Sequence, residues 1–501
     1  MKIPNEIELK LVIRLQDADA LEASGLLEAA SRKAKQRSIY FDTFDHCLVQ
    51  AGLSLRIRHS GRKRIQTIKS YDANSVGLFA RPEWERQVFN DKPIIDDTTP
   101  IRALLGERVA ELTPAFEICV ERKTWIIHQG NATIELVIDR GEAVVAGDRR
   151  LPICEIELEL KQGDAAALFA FARKLLAVVP IRLGVMTKAE RGYALIDPVA
   201  TAFKAERVVL KPDMTSARAF QHIVQSCVRQ FRRNEDLLLA GPQPEVLHQA
   251  RVALRRLQSA FSIFEALLVD DVSARLHQEL RWLATELGEA RNLDVMLERA
   301  PRGELQDRLK MAHQLTYDRL DEVLASTRVN GLMLDLAQWT ASGAWLAAAN
   351  TRDIRDQPSR EFASAALDRF RQKVKKHGRE LAVATDKARH RVRKDAKKLR
   401  YAAEFFASLF DRKRERRQCK RFIGTMEVLQ EQLGALNDLA TASAVLTTLG
   451  IKKHRRAAAS LFPGNKLDLL DAAEGAHETL VDAKPFWCER RSTPLRMREV
   501  R

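Results

Sequence analysis

Residues 6–10 read Glu-Ile-Glu-Leu-Lys, and the pattern returns at 155–161 as Glu-Ile-Glu-Leu-Glu-Leu-Lys. A period of two builds a β-strand, because successive side chains of a strand point to opposite faces. Glu6, Glu8 and Lys10 therefore share one face, and Ile7, Leu9 and Leu11 the other. In the second segment Glu155, Glu157, Glu159 and Lys161 stand opposite Ile156, Leu158 and Leu160. Basic strands lie between these acidic ones: Arg56 and Arg58 align with Ser54, and Lys69 aligns with Thr67. A sheet with one wet face accounts for each strand alone. Segregation of the two signs by strand points further, since a closed barrel would set them on opposite walls of one cavity. Such a cavity suits a polyanion with its metals: arginine and lysine neutralise phosphates through charge-assisted hydrogen bonds, and Mg²⁺ or Mn²⁺ takes carboxylate and phosphate oxygens.

Alternating segments recur at 6–14, 38–42, 53–58, 64–70, 84–89, 116–127, 133–139 and 153–161, which is about eight strands. Helical patterns near 17–30, 99–106 and 164–177 interrupt them, so this region reads as α+β with an antiparallel sheet or barrel. From residue 216 the pattern becomes long amphipathic helices, an all-α region. The expected organisation is a first domain at 1–200, a linker at 201–215 within a stretch bounded by prolines, a helical domain at 216–490 and a basic tail at 491–501. The helical region repeats itself. His248–Phe264 aligns with His390–Phe406, and 287–294, LGEARNLD, answers 433–440, LGALNDLA. Two blocks kept in order indicate a duplicated helical unit.

The 83 lysines and arginines exceed the 67 acidic residues, for a net charge of +16, which favours an anionic partner. Residues 206–501 hold 53 basic and 39 acidic side chains against 30 and 28 in residues 1–205, so the excess belongs to the helices. At about 100° per residue, His248, Arg251 and Arg255 fall within an arc of roughly 60°. His390, Arg393 and Lys397 repeat that arc in the second copy, and Arg256 and Lys398 also coincide. A solvated face or a helix-packing histidine explains one such stripe. Two copies facing each other across a pseudo-twofold axis would make a continuous surface for a linear polyanion. Nucleic acid is disfavoured there, because no aromatic stacking stripe or helix-turn-helix is evident.

Six scattered cysteines without a CxxC pair argue against a zinc knuckle or disulfide framework and fit a reducing compartment. No run approaches the roughly 18 apolar residues of a membrane span, so a cytoplasmic protein without a membrane partner is expected.

The N-terminal residues resemble the CYTH domain, the triphosphate tunnel metalloenzyme family. The resemblance rests on Glu6-x-Glu8-x-Lys10, YFDT at 40–43, GLSLRIR at 52–58, TIK at 67–69, RPEWE at 81–85, ERKTW at 121–125, ELVIDRG at 135–141, EIELELK at 155–161 and KAERGYAL at 188–195. It implies an eight-stranded antiparallel barrel with a polar interior, hydrolysing inorganic triphosphate to pyrophosphate and phosphate with Mg²⁺ or Mn²⁺. It also implies Lys10, Arg56, Arg58, Lys69 and Arg122 as the cationic cradle, joined by Lys188 and Arg191. Glu6, Glu8, Glu155 and Glu157 would form the metal-binding and water-activating wall, with Glu83, Glu85, Glu135 and Asp139 as further members and Glu6, Glu8 and Lys10 as the catalytic set. Val120 and Phe79 depart from the family pattern, a matter for substrate choice. The family also contains adenylate cyclases and thiamine triphosphatases, and a non-catalytic polyphosphate binder is a third reading. Residues 216–490 resemble a CHAD domain, which implies two four-helix bundles related by internal symmetry. It implies binding of inorganic polyphosphate through the histidine stripes; delivery of polymer to the tunnel, a place on polyphosphate granules and independent action are all open alternatives for this half.

Overall fold

The computed structural model describes residues 5–27, 30–70, 77–145, 149–196, 201–451, 454–462 and 466–488; the expected basic tail, 491–501, lies outside the described residues. Nine strands form one antiparallel sheet: β1 (Asn5–Ile13), β2 (Arg32–Asp42), β3 (Leu53–Ser60), β4 (Lys63–Ser70), β5 (Leu78–Val88), β6 (Thr113–Gln129), β7 (Ala132–Val144), β8 (Arg150–Gln162) and β9 (Ile181–Leu183). The order is β5-β4-β3-β2-β6-β7-β8-β1-β9, and a pairing of β1 with β5 closes the first eight into a barrel. β1 makes the closure by splitting its far edge. Residues 5–9 pair with 82–78 of β5, whereas residues 11–13 pair with 183–181 of β9. Its other edge is continuous with β8, where Lys10 faces Glu157 and Glu8 faces Glu159.

The period-two pattern decides which face points in. Leu9, Leu11, Ile156 and Leu158 are fully buried on the outside of the barrel, in one core with Leu168, Phe169 and Leu175. Burial of each such side chain stabilises the fold by about 1.5–3 kcal/mol. The helices of this half are α1 (Leu15–Ala23), α2 (Cys47–Gln50), α3 (Pro100–Leu105), α4 (Ala166–Val178) and α5 (Lys188–Ile196). α4 supplies the apolar cover for β1 and β8; α5 follows β9.

Residues 201–215 contain no helix or strand of their own, yet Val208 and Leu210 are buried. The helical half then runs α6 (Ser216–Leu238), α7 (Pro244–Ile263), α8 (Asp271–Arg299), α9 (Glu304–Ala325), α10 (Thr327–Ser342), α11 (Arg352–Asp356), α12 (Ser359–His377), α13 (Asp386–Phe406), α14 (Lys413–Thr448), α15 (His454–Leu461) and α16 (Lys466–Asp482). The duplication is visible as α6-α7-α8 answered by α12-α13-α14, with α7 packed on α13. Among the described residues α6–α10 make the first copy and α12–α16 the second, five helices each rather than four, with the short α11 between them. In the first copy the break falls at Ser326, whose hydroxyl accepts a hydrogen bond from Val329 N and caps α10. The two halves share one apolar core, and α4 meets α10 where the Arg173 guanidinium donates to Asp335 Oδ1 at 2.6 Å. No described helix is long and apolar enough to cross a membrane, and all six cysteines are free.

Candidate active site and basic cavity

The barrel encloses a cavity of about 260 Å³. Around the ring, carboxylates come from four adjacent strands, β7, β8, β1 and β5: Glu135, Glu157, Glu159, Glu6, Glu8, Glu83 and Glu85. Cations come mainly from the opposite arc, with Lys69 on β4, Arg56 and Arg58 on β3, and Arg122 on β6. Lys10 and Lys161 stand inside the acidic wall, and Lys188 enters from the first turn of α5. Seven carboxylates thus face seven cations among the described lining residues.

The densest group lies at the junction of β1, β7, β8 and α5. Lys188 Nζ donates to Glu157 Oε1 at 2.8 Å and to Glu155 Oε1 at 2.5 Å, and is 2.8 Å from Asp139 Oδ2. Lys10 Nζ donates to Glu155 Oε1 at 3.0 Å and to Glu157. Arg122 makes a two-pronged contact with Asp139, at 2.8 and 2.6 Å, and reaches Glu157 Oε2 at 3.0 Å. Burial opposes ionisation throughout this group, and opposite charge overrides it. The Glu157 carboxyl is held well below the usual carboxylate range by Lys10, Lys188 and Arg122 despite burial. Burial likewise opposes the raised pKa of Lys10, which Glu155 and Glu157 produce. On the cationic wall Arg58 is the exception: it is pushed down to about 10, first by Arg56, then by burial and Arg122, whereas Arg56 is raised despite burial by Tyr40 and Glu83. Arginines crowded to that degree favour an incoming anion.

Every strand residue expected in the cradle and the acidic wall is on the barrel's inner side, but three expected site residues, Asp139, Glu155 and Arg191, do not line the cavity, and Asp139 is 0% exposed beneath Lys188 and Arg122. Glu155 is 0% exposed and lies beneath Lys10 and Lys188. Arg191 sits behind it, with Nε 3.7 Å from Glu155 Oε2. Carboxylate oxygens of Asp139, Glu155 and Glu157 lie within 4.8 Å of one another; Glu6 and Glu8 are apart from that trio. Glu6 Oε2 instead accepts from Lys69 Nζ at 2.5 Å. Sequence reasoning missed Tyr40 and Thr187 as lining groups; Glu159 and Lys161, placed on the charged face of their strand without a role, also line the cavity. Tyr40 could have been found, because it opens the YFDT stretch on the same strand face as Ser38. Its hydroxyl accepts from Arg56 Nη1 at 3.3 Å.

A second cavity, of about 280 Å³, opens between α7, α8, α13 and α14. His248, Arg251 and Arg255 line it from the first copy, and Arg393 and Lys397 from the second. Arg291 of α8 adds a cation that sequence reasoning left inside a packing motif. No ion pair joins Arg251, Arg255, Arg393 or Lys397 to a carboxylate of the described residues, and the buried Nε atoms of Arg255 and Arg393 have no hydrogen-bond partner. Burial, then Arg393, Arg255 and Arg251, push Lys397 down to about 6; burial, then Arg255 and Arg291, push Arg251 down to about 10. His390 is exposed at the rim, with its Nδ1 3.3 Å from Asn437 Oδ1.

Arg256 and Lys398 are corrected. One step along a helix turns a side chain by about 100°, which takes both off the arc that faces the cavity. Arg256 is 3% exposed, donates to Gln230 Oε1 at 3.0 Å and stacks over Phe405. Lys398 is half-buried on the flank of α13, where Asp395, Lys373 and Glu265 are its charged neighbours.

Comparison with known proteins matches the CYTH domain over residues 4–193 and the CHAD domain over residues 222–447. An inorganic triphosphatase of Haemophilus influenzae is 32% identical over 201 residues, 38% of this chain and 54% of that protein; the chain spans about half the length of this curated relative. Among solved structures, the CHAD domain from the plant Ricinus communis is 27% identical, covering 56% of this chain and 98% of its own, with a TM-score of 0.49. A putative adenylyl cyclase from Hippeastrum, described as having a dominant triphosphatase activity, is 17% identical, covering 38% of this chain and 95% of its own, with a TM-score of 0.32.

Proposed function

This chain belongs to the CYTH family, with a CHAD domain joined behind the barrel, and from that premise we propose that it hydrolyses inorganic triphosphate to pyrophosphate and phosphate in the barrel cavity. The single observation that carries the reading is the cavity's lining, an acidic arc facing a cationic arc with seven charges of each sign. Arg56, Arg58, Lys69 and Arg122 bind and align the phosphates. A lining of no net charge leaves most of a triphosphate's charge uncompensated, which supports a divalent metal as co-substrate. The donors on the cavity wall fit a hard cation, since Glu6, Glu8, Glu157 and Glu159 line it side by side on β1 and β8, whereas the buried Asp139–Glu155–Glu157 trio already holds the Lys188 ammonium. Mg²⁺ or Mn²⁺ bound there would neutralise charge on the phosphates and acidify a water. A glutamate of the acidic wall accepts the proton of the attacking water, and Lys10, with Lys188 and Arg122, keeps Glu157 ionised.

Tyr40 is the only aromatic group among the described lining residues, and its ring is stacked on Phe116 at 4.7 Å. That favours the inorganic substrate over ATP or thiamine triphosphate, whose rings would need a stacking partner. The helical half binds inorganic polyphosphate. Cations of both copies converge on one cavity whose lining holds a single carboxylate, Asp438, among the described residues, so a linear polyanion supplies the missing countercharge. Phosphate release from triphosphate, ATP, thiamine triphosphate and long-chain polyphosphate, each with and without divalent cation, tests the enzyme. Activity confined to ATP or thiamine triphosphate, or none in any arm, would reject it. Competition between duplex DNA and long-chain polyphosphate at equal phosphate concentration tests the binding half.

A further inference from the structure

α6 of the helical half grips the segment that delivers Lys188 to the tunnel. Arg229, Arg232 and Asp236 recur at i, i+3 and i+7 on α6, one face of a helix. All three engage residues 182–190. Arg182 Nη1 donates to Asp236 Oδ1 at 2.7 Å, and Arg232 Nε donates to the carbonyl of Leu183 at 3.1 Å. Arg229 Nη1 donates to the carbonyl of Val185 at 2.7 Å, and its Nη2 donates to Glu190 Oε1.

Glu190 is the end of a capping box. Its Oε2 accepts from Thr187 N at 2.8 Å and from Thr187 Oγ1 at 3.0 Å, while Glu190 N donates back to Thr187 Oγ1 at 3.2 Å. Lys188 is the first residue inside that box. Its side chain is the one cation to reach Asp139, Glu155 and Glu157 together. Both carboxylate oxygens of Glu190 are therefore in use, one fixing the first turn of α5 and the other held by a guanidinium from the next domain. Burial opposes ionisation of Glu190, and Arg229 with the Thr187 backbone overrides it, leaving its pKa below the usual range. Arg229 is itself 8% exposed, so its loss would leave a buried carboxylate without its cation, the costly half of a broken pair.

We propose that Arg229 is a positioning residue for the tunnel, holding the Thr187–Glu190 turn so that Lys188 stands over the carboxylates of β7 and β8. The helical half is then part of the active site's scaffold in addition to any polyanion it binds. This rests on the triphosphatase reading for its kinetic readout but not for its binding readout.

The test is a double-mutant cycle in the full chain with Arg229→Gln and Lys188→Ala. Turnover of triphosphate and calorimetric affinity for tripolyphosphate without metal are both measured, and thermal unfolding is followed beside them. Arg229→Gln is expected to lower turnover at least tenfold and metal-free affinity at least fivefold. In the Lys188→Ala background the same change should cost less than twofold, because there is no longer a side chain to position. Arg229→Lys keeps a cation for Glu190 and should recover part of both; should Arg229→Gln fail to fold, Arg229→Lys takes its place in the cycle. Full additivity in the binding cycle, or unchanged turnover and affinity in Arg229→Gln, overturns the proposal. A wild-type chain that binds tripolyphosphate but does not turn it over defeats the enzyme reading alone, and the binding cycle then decides the role of Arg229.

Discussion

Lys69 Nζ stands 2.5 Å from Glu6 Oε2 and 3.2 Å from Glu83 Oε1, so one ammonium of β4 spans the strand that closes the barrel and joins the cationic arc to the acidic one. Anion and cation are thus paired across the tunnel before any ligand arrives. On the proposed reading, a triphosphate would compete for Lys69 and let Glu6 hold a divalent cation. Glu6→Gln and Glu8→Gln should each lower divalent-dependent phosphate release at least a hundredfold, with the fold intact by circular dichroism. Near-normal rates in both variants would remove the acidic wall from the mechanism.

The helical cavity makes a separate prediction, because arginines on different faces of α7 point to different places. Arg251 faces the cavity, whereas Arg256 is buried against Gln230 and Phe405. Arg251→Ala and Arg393→Ala should each weaken long-chain polyphosphate binding about tenfold, the ~1.4 kcal/mol expected of one charge-assisted contact. Arg256→Ala should instead cost about 2–3 kcal/mol of stability, with affinity of the folded protein within twofold of wild type. Titration by calorimetry and denaturant unfolding on the three variants separate these outcomes.

Lys397 gives that cavity a pH dependence. Held at about 6 by burial and by Arg393, Arg255, Arg251 and Arg400, it is mostly neutral at pH 8 in the free protein, and a bound polyanion restores the charged form. Polyphosphate affinity should therefore rise as pH falls from 8.5 to 5.5, with proton uptake on binding near pH 7. Burial lowers His248 and His390 as well, which adds in the same direction at the acidic end. Without ligand the sign is the opposite: between about 6 and the ordinary lysine value of 10.5 the unfolded chain binds the Lys397 proton more tightly, so this residue's contribution to stability rises with pH through that window. Calorimetry in two buffers of different ionisation enthalpy measures the uptake, and Lys397→Met should remove most of it at pH 7.5.

What the sequence disclosed follows from how local each signal is. Strand parity is a nearest-neighbour property, so the inward faces of β1 and β8 could be read from Glu6-Ile7-Glu8 and Glu155-Ile156-Glu157, and the eight strands of the barrel could be counted. β9, three residues long, has too short a pattern to register. Helical parity needs the burial of the whole helix, and Arg256 and Lys398 were misassigned because coincidence between two copies shows shared orientation, not which way that orientation faces. Arg291 was passed over because its motif also carries Leu287, which is fully buried. The tie from Arg229 to Glu190 spans 39 residues and two domains, and no local pattern announces it.

The last prediction follows a chain of contacts from the KAERGYAL stretch into the cationic wall. A Cβ at Gly192 would lie 2.1 Å from Phe116 Cε2, so the glycine lets α5 sit directly on that ring. Phe116 is stacked on Tyr40, and the Tyr40 hydroxyl accepts from Arg56, which lines the tunnel. A methyl group at 192 must displace Phe116, whose ring is in contact with both Tyr40 and Tyr193, the latter 5.0 Å away in an edge contact. Gly192→Ala should therefore cost about 1–3 kcal/mol as overpacking and also raise KM for triphosphate several-fold through Arg56. Tyr40→Phe isolates the second effect, since it keeps the stacked ring and removes only the acceptor: KM should rise two- to fivefold with Tm nearly unchanged. A Gly192→Ala variant that loses stability while keeping wild-type KM would show that the packing of α5 and the aim of Arg56 are independent.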